Sequence, residues 1–239
     1  SKIINHNFSQ KLFGDIYKHN SKIALFLYKN YINNLTVLLR KIGININTVP
    51  VLDVIRKKTH KIIGSRSFSN DPDIVKNLGL VCVRQYKLNK LGTVIKHIPG
   101  HGLSKTDTHL KLPFISKNLK YLEQNDFAVF KNKKTLFAMT AHIVFKAIDK
   151  KECITHSKKG IQYIRKKIGF KNLIISDDIS MKALKYSFDE NVRKAYTSGC
   201  NLVLHCNANL TEMNNLAKIS PKVNQFIIKK TSEFYKLLS

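Results

Sequence analysis

A histidine-rich loop carries residue types that suit acid–base catalysis. The segment KHIPGHG at 96–102 leads to Asp107 and His109, which stand two positions apart. A carboxylate beside an imidazole fixes the tautomer of the ring and stabilises its cation, so this pair predicts a general acid/base working near neutral pH. The alternative is a solvated loop whose histidines form only local hydrogen bonds.

Two adjacent carboxylates form a second candidate group. Asp177 and Asp178 follow the apolar run at 173–175. Carboxylates at the end of a buried strand are costly unless they are partnered. One of them is therefore expected to be a nucleophile or to coordinate a cation. The alternative is that Asp178 or Ser180 caps the next helix, and both roles can hold together.

A third candidate is Arg66 in the loop IGSRSF at 63–68. Its planar fork of donors suits a polar substrate, although a surface ion pair with Asp71 or Asp73 is an equal alternative. A carboxylate, a separate protonatable pair and basic donors, with no evident metal set, suit glycoside hydrolysis. In a retaining version of that reaction one carboxylate attacks the anomeric carbon and a second group, here a histidine, protonates the departing oxygen.

Five short apolar runs predict the strands that position these groups. They lie at 44–49, 93–98, 136–140, 173–176 and 202–204, with helical patterns between them and a C-terminal helix predicted to open at Pro221. Continuous apolar strands alternating with helices predict a parallel sheet covered on its outside.

Polar side chains follow the predicted strands and are expected at one edge of the sheet. They are Asp53, His97, His142, Asp177 and His205. A (β/α)8 barrel and an open doubly wound sheet both place their chemistry at this carboxyl-terminal edge. The absence of a GxGxxG or Walker A motif disfavours the open sheet. With five strands instead of eight, either some strands are missed or the barrel begins before residue 1.

Composition limits the class of protein. The 239 residues are 43% hydrophobic, enough for a substantial core, and no apolar run of about 18 residues predicts a membrane span. The net charge of +27 suggests a nucleic acid or anionic partner, but an AT-rich coding bias that makes Lys the default surface residue also explains it. The four cysteines contain no CxxC and are expected to be reduced thiols of a cytoplasmic protein.

Several of these motifs occur together in one family. The sequence resembles the bacterial β-N-acetylglucosaminidases of glycoside hydrolase family 3 over roughly residues 8–210. The motifs that carry the resemblance are PVLDV (50–54), IGSRSF (63–68), KHIPGHG (96–102), TDTH (106–109), MTAHIVF (139–145), SDDISM (176–181) and GCNLVLHCN (199–207).

The resemblance implies a single domain over residues 1–239, a (β/α)8 barrel that is incomplete at its N-terminus. A DQEGG-type segment that normally precedes these motifs does not occur, so we expect either a truncated sequence or a degraded gene product.

The resemblance also implies roles for individual residues in a retaining reaction without metal or cofactor. Asp177 would be the nucleophile, His109 the acid/base and Asp107 its partner. Arg66, Lys96 and His97 would hold the sugar hydroxyls.

The implied substrate is a small carbohydrate, an anhydro-muropeptide carrying N-acetylglucosamine, processed during cytoplasmic peptidoglycan recycling by a monomer without nucleic acid or membrane partners. Two alternatives remain: an inactive barrel that binds polyanions through its basic surface, and a phosphorylase that uses phosphate in place of water.

Overall fold

The structure is a computed structural model that describes residues 8–57, 59–61, 63–106 and 111–239. Helices and strands alternate along the chain. The helices are α1 (Gln10–His19), α2 (Ser21–Lys41), α3 (Pro72–Leu88), α4 (Leu119–Gln124), α5 (Lys158–Tyr163, continued by a π-helix at Ile164–Ile168), α6 (Phe188–Ser198), α7 (Leu210–Ile219) and α8 (Gln225–Leu238). The strands are β1 (Ile46–Asn47), β2 (Gly92–Ile98), β3 (Phe114–Ile115), β4 (Phe137–Thr140), β5 (Val144–Phe145), β6 (Leu173–Asp178) and β7 (Leu202–Leu204).

The main sheet has the strand order β1-β2-β4-β6-β7, and every pair in it is parallel. The small strands β3 and β5 form a separate parallel pair. Because the order follows the chain without reversal, the sheet has no switch point of the doubly wound kind. The described residues thus form a curled parallel sheet, half of a barrel, and the five predicted strands are confirmed.

Alternation along the strands gives the sheet two apolar faces. Ile95, Ala138 and Ile174 belong to the larger core, which they share with the helices α1 to α6. The neighbouring residues of the same strands point the other way, into a smaller core that includes Val94, Phe137, Met139 and Leu173. Helix α8 covers this second face through Ile227 and Phe234, and the rings of Phe234 and Phe137 lie 5.4 Å apart.

Local chemistry sets most helix ends where the sequence predicts them. The Asp71 side chain caps α3, with Pro72 in the first turn, and Ser157 caps α5. Gly169 and Gly199 end their helices in the left-handed conformation, with φ of 80° and 111°.

The C-terminal part differs from the prediction. The last helix does not open at Pro221 but at Gln225, because the Asn224 side chain accepts the hydrogen bond of the Ile227 amide and caps it there. Helix α7 was not predicted, and none of its residues is buried.

Within the described ranges, no helix combines the length and apolarity that a membrane crossing requires.

Candidate active site

A buried carboxylate–imidazole pair lies at the carboxyl-terminal edge of the sheet. Asp53 follows β1 and is fully buried. Its Oδ2 lies 2.7 Å from Nδ1 of His97, at the end of β2, while its Oδ1 accepts the amides of His97 at 3.2 Å and His101 at 2.6 Å. Burial alone would raise the pKa of Asp53, but its bonds and charge interactions with His97 and His101 outweigh burial and hold that pKa below its usual value. Asp53 therefore fixes the orientation of the His97 ring.

Asp177 lies on the far side of the same ring. Its Oδ2 is 3.9 Å from Nε2 of His97, and its Oδ1 accepts the Asp178 amide at 2.9 Å. Burial works to raise the pKa of Asp177, but His97, His142 and the Asp178 amide together lower it. The side chain keeps 19% of its surface exposed, so an ionised carboxylate is presented to the open edge of the sheet.

Asp178 has a different environment from its neighbour. Its Oδ1 accepts the Ser180 hydroxyl at 2.7 Å and the Ser180 and Cys206 amides at 3.0 and 3.2 Å. These bonds shape the turn after β6 and tie it to the loop after β7. The predicted helix cap at Asp178 or Ser180 is wrong, since the next helix, α6, is capped by Ser187.

Two basic side chains lie on the same edge. Lys96, in β2, donates from Nζ to the Thr48 hydroxyl at 3.1 Å. Burial and then the nearby Arg66 lower the pKa of Lys96, while Asp177 acts in the opposite direction. Arg66 is exposed at the end of a short 3-10 helix, Gly64–Arg66. The surface pair of Arg66 with Asp71 or Asp73 does not occur among the ion pairs of the described residues.

Asp107 and His109 lie outside the described residues, but the loop that leads to them is well anchored. A Cβ at Gly102 would stand 1.9 Å from the Val54 carbonyl oxygen, so only glycine fits this approach. The Thr59 hydroxyl donates to the Gly102 carbonyl, and the His60 amide donates to the Ser104 carbonyl at 2.9 Å. The first half of the loop is thus held against the segment after β1.

The structure brings Arg66, Lys96, His97 and Asp177 to one edge of the sheet. It also adds Asp53 and His142, which the sequence interpretation noted after strands but did not assign to the site. Their position at strand ends was the available signal; their partners are far away in sequence and only the fold shows them.

The described residues contain no group of three or more His, Cys, Asp or Glu side chains arranged to hold a metal ion. Of the cysteines, Cys82, Cys153 and Cys200 are buried and Cys206 is exposed near the site.

Curated relatives resemble much of this chain. It is 30% identical to a beta-hexosaminidase of Nitrosomonas eutropha over 199 residues, 81% of this chain and 57% of that protein. It is 34% identical to a beta-hexosaminidase of Neisseria meningitidis serogroup C over 170 residues, 69% of this chain and 47% of that protein. The chain thus spans about half the length of these curated relatives.

Solved structures agree in fold. Native NagZ from Neisseria gonorrhoeae superposes with a TM-score of 0.84 at 27% identity, covering 97% of this chain and 69% of that one. The same enzyme in complex with N-trifluoroacetyl-D-glucosamine gives a TM-score of 0.83 at 27% identity, covering 95% and 66%.

A family model decides the classification. The glycosyl hydrolase family 3 N terminal domain matches residues 28–230, which include the whole carboxyl-terminal edge of the sheet described above. This chain therefore belongs to glycoside hydrolase family 3.

Proposed function

We propose that this chain is the catalytic part of a retaining β-N-acetylglucosaminidase and that Asp177 is its nucleophile. The observation that carries the proposal is the contrast between the two adjacent carboxylates. Oδ1 of Asp178 accepts two hydrogen bonds from Ser180 in its own turn and one from Cys206 in the loop after β7, whereas Asp177 keeps Oδ2 beside His97 at the open edge. An ionised, partly exposed carboxylate beside fixed donors is what attack on an anomeric carbon requires.

In the proposed reaction an Asp177 oxygen bonds to C1 of the sugar while the bond from C1 to the leaving oxygen breaks. His109, with Asp107 as its partner, gives the proton to that oxygen. The glycosyl–aspartate ester forms, and water, losing its proton to His109, then attacks C1 and releases Asp177. The roles of His109 and Asp107 rest on the family resemblance, since both lie outside the described residues.

The remaining polar groups suit sugar binding. Lys96 interacts with both Asp177 and Arg66, so the two basic side chains supply donors at this edge. His97, held by Asp53, supplies a further polar contact beside Asp177. Charged donors of fixed geometry select hydroxyl positions on a ring.

A terminal N-acetylglucosamine is the proposed sugar, because a relative of matching fold crystallises with N-trifluoroacetyl-D-glucosamine. We further propose an anhydro-muropeptide as the natural substrate, cell-wall recycling in the cytoplasm as the setting, and a (β/α)8 barrel as the complete form of the curled sheet.

Covalent trapping tests the central step. A fluorinated N-acetylglucosaminyl fluoride is incubated with the protein. The ring fluorine slows both formation and hydrolysis of the glycosyl–enzyme, and the good fluoride leaving group speeds its formation, so the intermediate accumulates. Peptide mass spectrometry is expected to find one glycosyl residue on the peptide that contains Asp177.

Two variants make the trapping specific. Asp177→Asn should remain unlabelled, and Asp178→Asn, its neighbour with the same change in charge, should still be labelled. A label on another residue, or labelling of Asp177→Asn, would contradict the assignment. Turnover that requires inorganic phosphate would instead indicate a phosphorylase.

A further inference from the structure

His142 lies beneath the acidic pair, at the end of β4, and is completely buried. Its Nε2 is 3.0 Å from the backbone carbonyl oxygen of Asp178, and its Nδ1 is 2.8 Å from the hydroxyl of Thr155. That hydroxyl lies 2.8 Å from the hydroxyl of Thr140. Both threonines are fully buried as well. The four groups form a chain of hydrogen bonds that ends at the backbone next to Asp177.

The direction of this chain follows from its last acceptor. A carbonyl oxygen only accepts, so Nε2 of His142 must carry the hydrogen. In the neutral ring Nδ1 then accepts, so the Thr155 hydroxyl donates to it and the Thr140 hydroxyl donates to Thr155. Every buried polar atom in the chain then has a partner of the right kind, as buried groups require.

The surroundings of His142 favour the neutral ring. Burial is the largest influence and lowers the pKa of His142; Asp177 and Asp178 oppose it, and His97 adds to it. His156 also interacts with this ring, and burial followed by His142 itself lowers the pKa of His156 to about 4. Burial thus acts in the same direction as the hydrogen bonds, toward the neutral form of His142.

The backbone of Asp178 is held on both sides. His142 holds the Asp178 carbonyl, and the Asp178 amide donates to Oδ1 of Asp177 at 2.9 Å. A shift of the Asp178 peptide groups would therefore rotate or release the Asp177 carboxylate. His142 makes no hydrogen bond to Asp177 itself, so it acts through this backbone.

We propose that His142 is a positioning residue that, as the neutral Nε2–H tautomer, fixes the Asp178 backbone and thereby aims the Asp177 carboxylate at the anomeric carbon. This inference rests on the proposed role of Asp177 as nucleophile. It assigns no proton transfer to His142, which stays in one protonation state throughout.

Two amide substitutions separate positioning from packing. The amide of His142→Gln reaches the place of Nε2 and can still donate to the Asp178 carbonyl, while that of His142→Asn reaches the place of Nδ1 and keeps only the Thr155 contact. We expect kcat to fall about 10- to 100-fold in His142→Asn, with KM within about threefold, because a misaimed reactive group costs rate more than binding. His142→Gln should keep kcat within about fivefold of wild type.

Thermal unfolding of the two variants is the control for packing. Both variants bury one primary amide, so the comparison separates a loss of stability from a loss of positioning. Equal losses of kcat in the two, or a greater loss in His142→Gln, would overturn the positioning role. Absence of turnover by the wild-type chain would defeat the proposed function instead, so the two failures are distinguishable.

A spectroscopic test uses only the wild-type protein, so it does not depend on the folding of either variant. Ring ¹⁵N chemical shifts of His142 in the wild-type protein are expected to report the neutral Nε2–H tautomer, unchanged from pH 5.5 to 8. A titration of this ring within that range, or an Nδ1–H tautomer, would overturn the inference regardless of activity.

Discussion

Charged side chains lie at both the carboxyl-terminal and the amino-terminal edge of the sheet, but the partners of these side chains differ between the two edges. At the carboxyl-terminal edge, Asp53 contacts Nδ1 of His97, and Asp177 lies beside Nε2 of the same imidazole. At the amino-terminal edge, a cavity of about 590 Å³ is lined by Lys87, Lys133, Lys134 and Lys171. The acidic residue lining that cavity, Glu233, forms an ion pair with Lys230.

The difference shows what distinguishes a reactive edge from a merely charged one. Lys133 is buried, and its Nζ donates to the Lys76 carbonyl at 3.0 Å. Burial, with a smaller contribution from Lys76, lowers the pKa of Lys133 to about 8. The charged form of Lys133 is thus destabilised, whereas the partners of Asp53 and Asp177 stabilise the charged form of each carboxylate. Carboxylates whose charged form is stabilised at strand ends, more than cavity size or lysine content, favour this edge as the place of the proposed chemistry.

The largest expected effect compares one residue from each edge. Asp177→Asn should lower kcat/KM on a chromogenic N-acetylglucosaminide by on the order of 10⁴-fold, because the proposed covalent step would lose its nucleophile. Lys133→Gln, at the opposite edge, should stay within about twofold of wild type. Comparable losses in both variants would remove the functional contrast between the edges.

The next effect breaks the contact between Asp53 and His97 at the carboxyl-terminal edge. Asp53→Asn should lower the free energy of unfolding by about 3 kcal/mol at pH 7, because it removes one partner of a buried pair. It should also lower kcat/KM about 100-fold, since the His97 ring loses its orientation.

The pH dependence of this effect has a defined sign. The folded-state pKa of Asp53 lies below its usual value, so the stabilisation is fully present above the ordinary aspartate pKa and is lost as pH falls through the folded pKa. Urea unfolding at several pH values should show wild type and Asp53→Asn converging in acid. A difference that grows on acidification would contradict the pairing.

A smaller effect compares one glycine from each edge. Gly102→Ala places a methyl group against the Val54 backbone and should destabilise the protein by about 2–3 kcal/mol. Gly169, which lines the amino-terminal cavity, has φ of 80° and no neighbour within 4 Å of an added Cβ, so Gly169→Ala should cost about 1 kcal/mol. Chemical denaturation of both variants measures the difference; the reverse ranking would show that the loop near Val54 moves aside freely.

A last effect, smaller than that of Gly102→Ala, concerns the buried Lys133. The folded-state pKa of Lys133 lies below the usual lysine value, so its burial penalty is present below about pH 8 and disappears as pH rises toward the unfolded value. Wild type should therefore gain about 2 kcal/mol relative to Lys133→Met between pH 7.5 and 10. Parallel stability curves for the two proteins would show that Lys133 carries no such penalty.

Prediction from the sequence succeeded where the physical cause was local. The apolar run at 202–204 coincides with β7, and Asp71 and Ser157 cap helices because a side-chain oxygen next to the first turn satisfies a free amide. It failed at α7, which buries no residue, and at Pro221, where the cap on Asn224 sets the helix start.

The sequence by itself determined the five strands of the main sheet, the helices between them and the presence of reactive residue types at strand ends, because apolar periodicity and capping act over a few residues. Only the tertiary structure decided which of those residues meet. Asp53 and His97 are separated by 44 positions, and the Asp178 carbonyl lies 36 positions from His142. The different environments of Asp177 and Asp178, adjacent in sequence, arise from burial and from hydrogen bonds contributed by other strands, which no local pattern encodes.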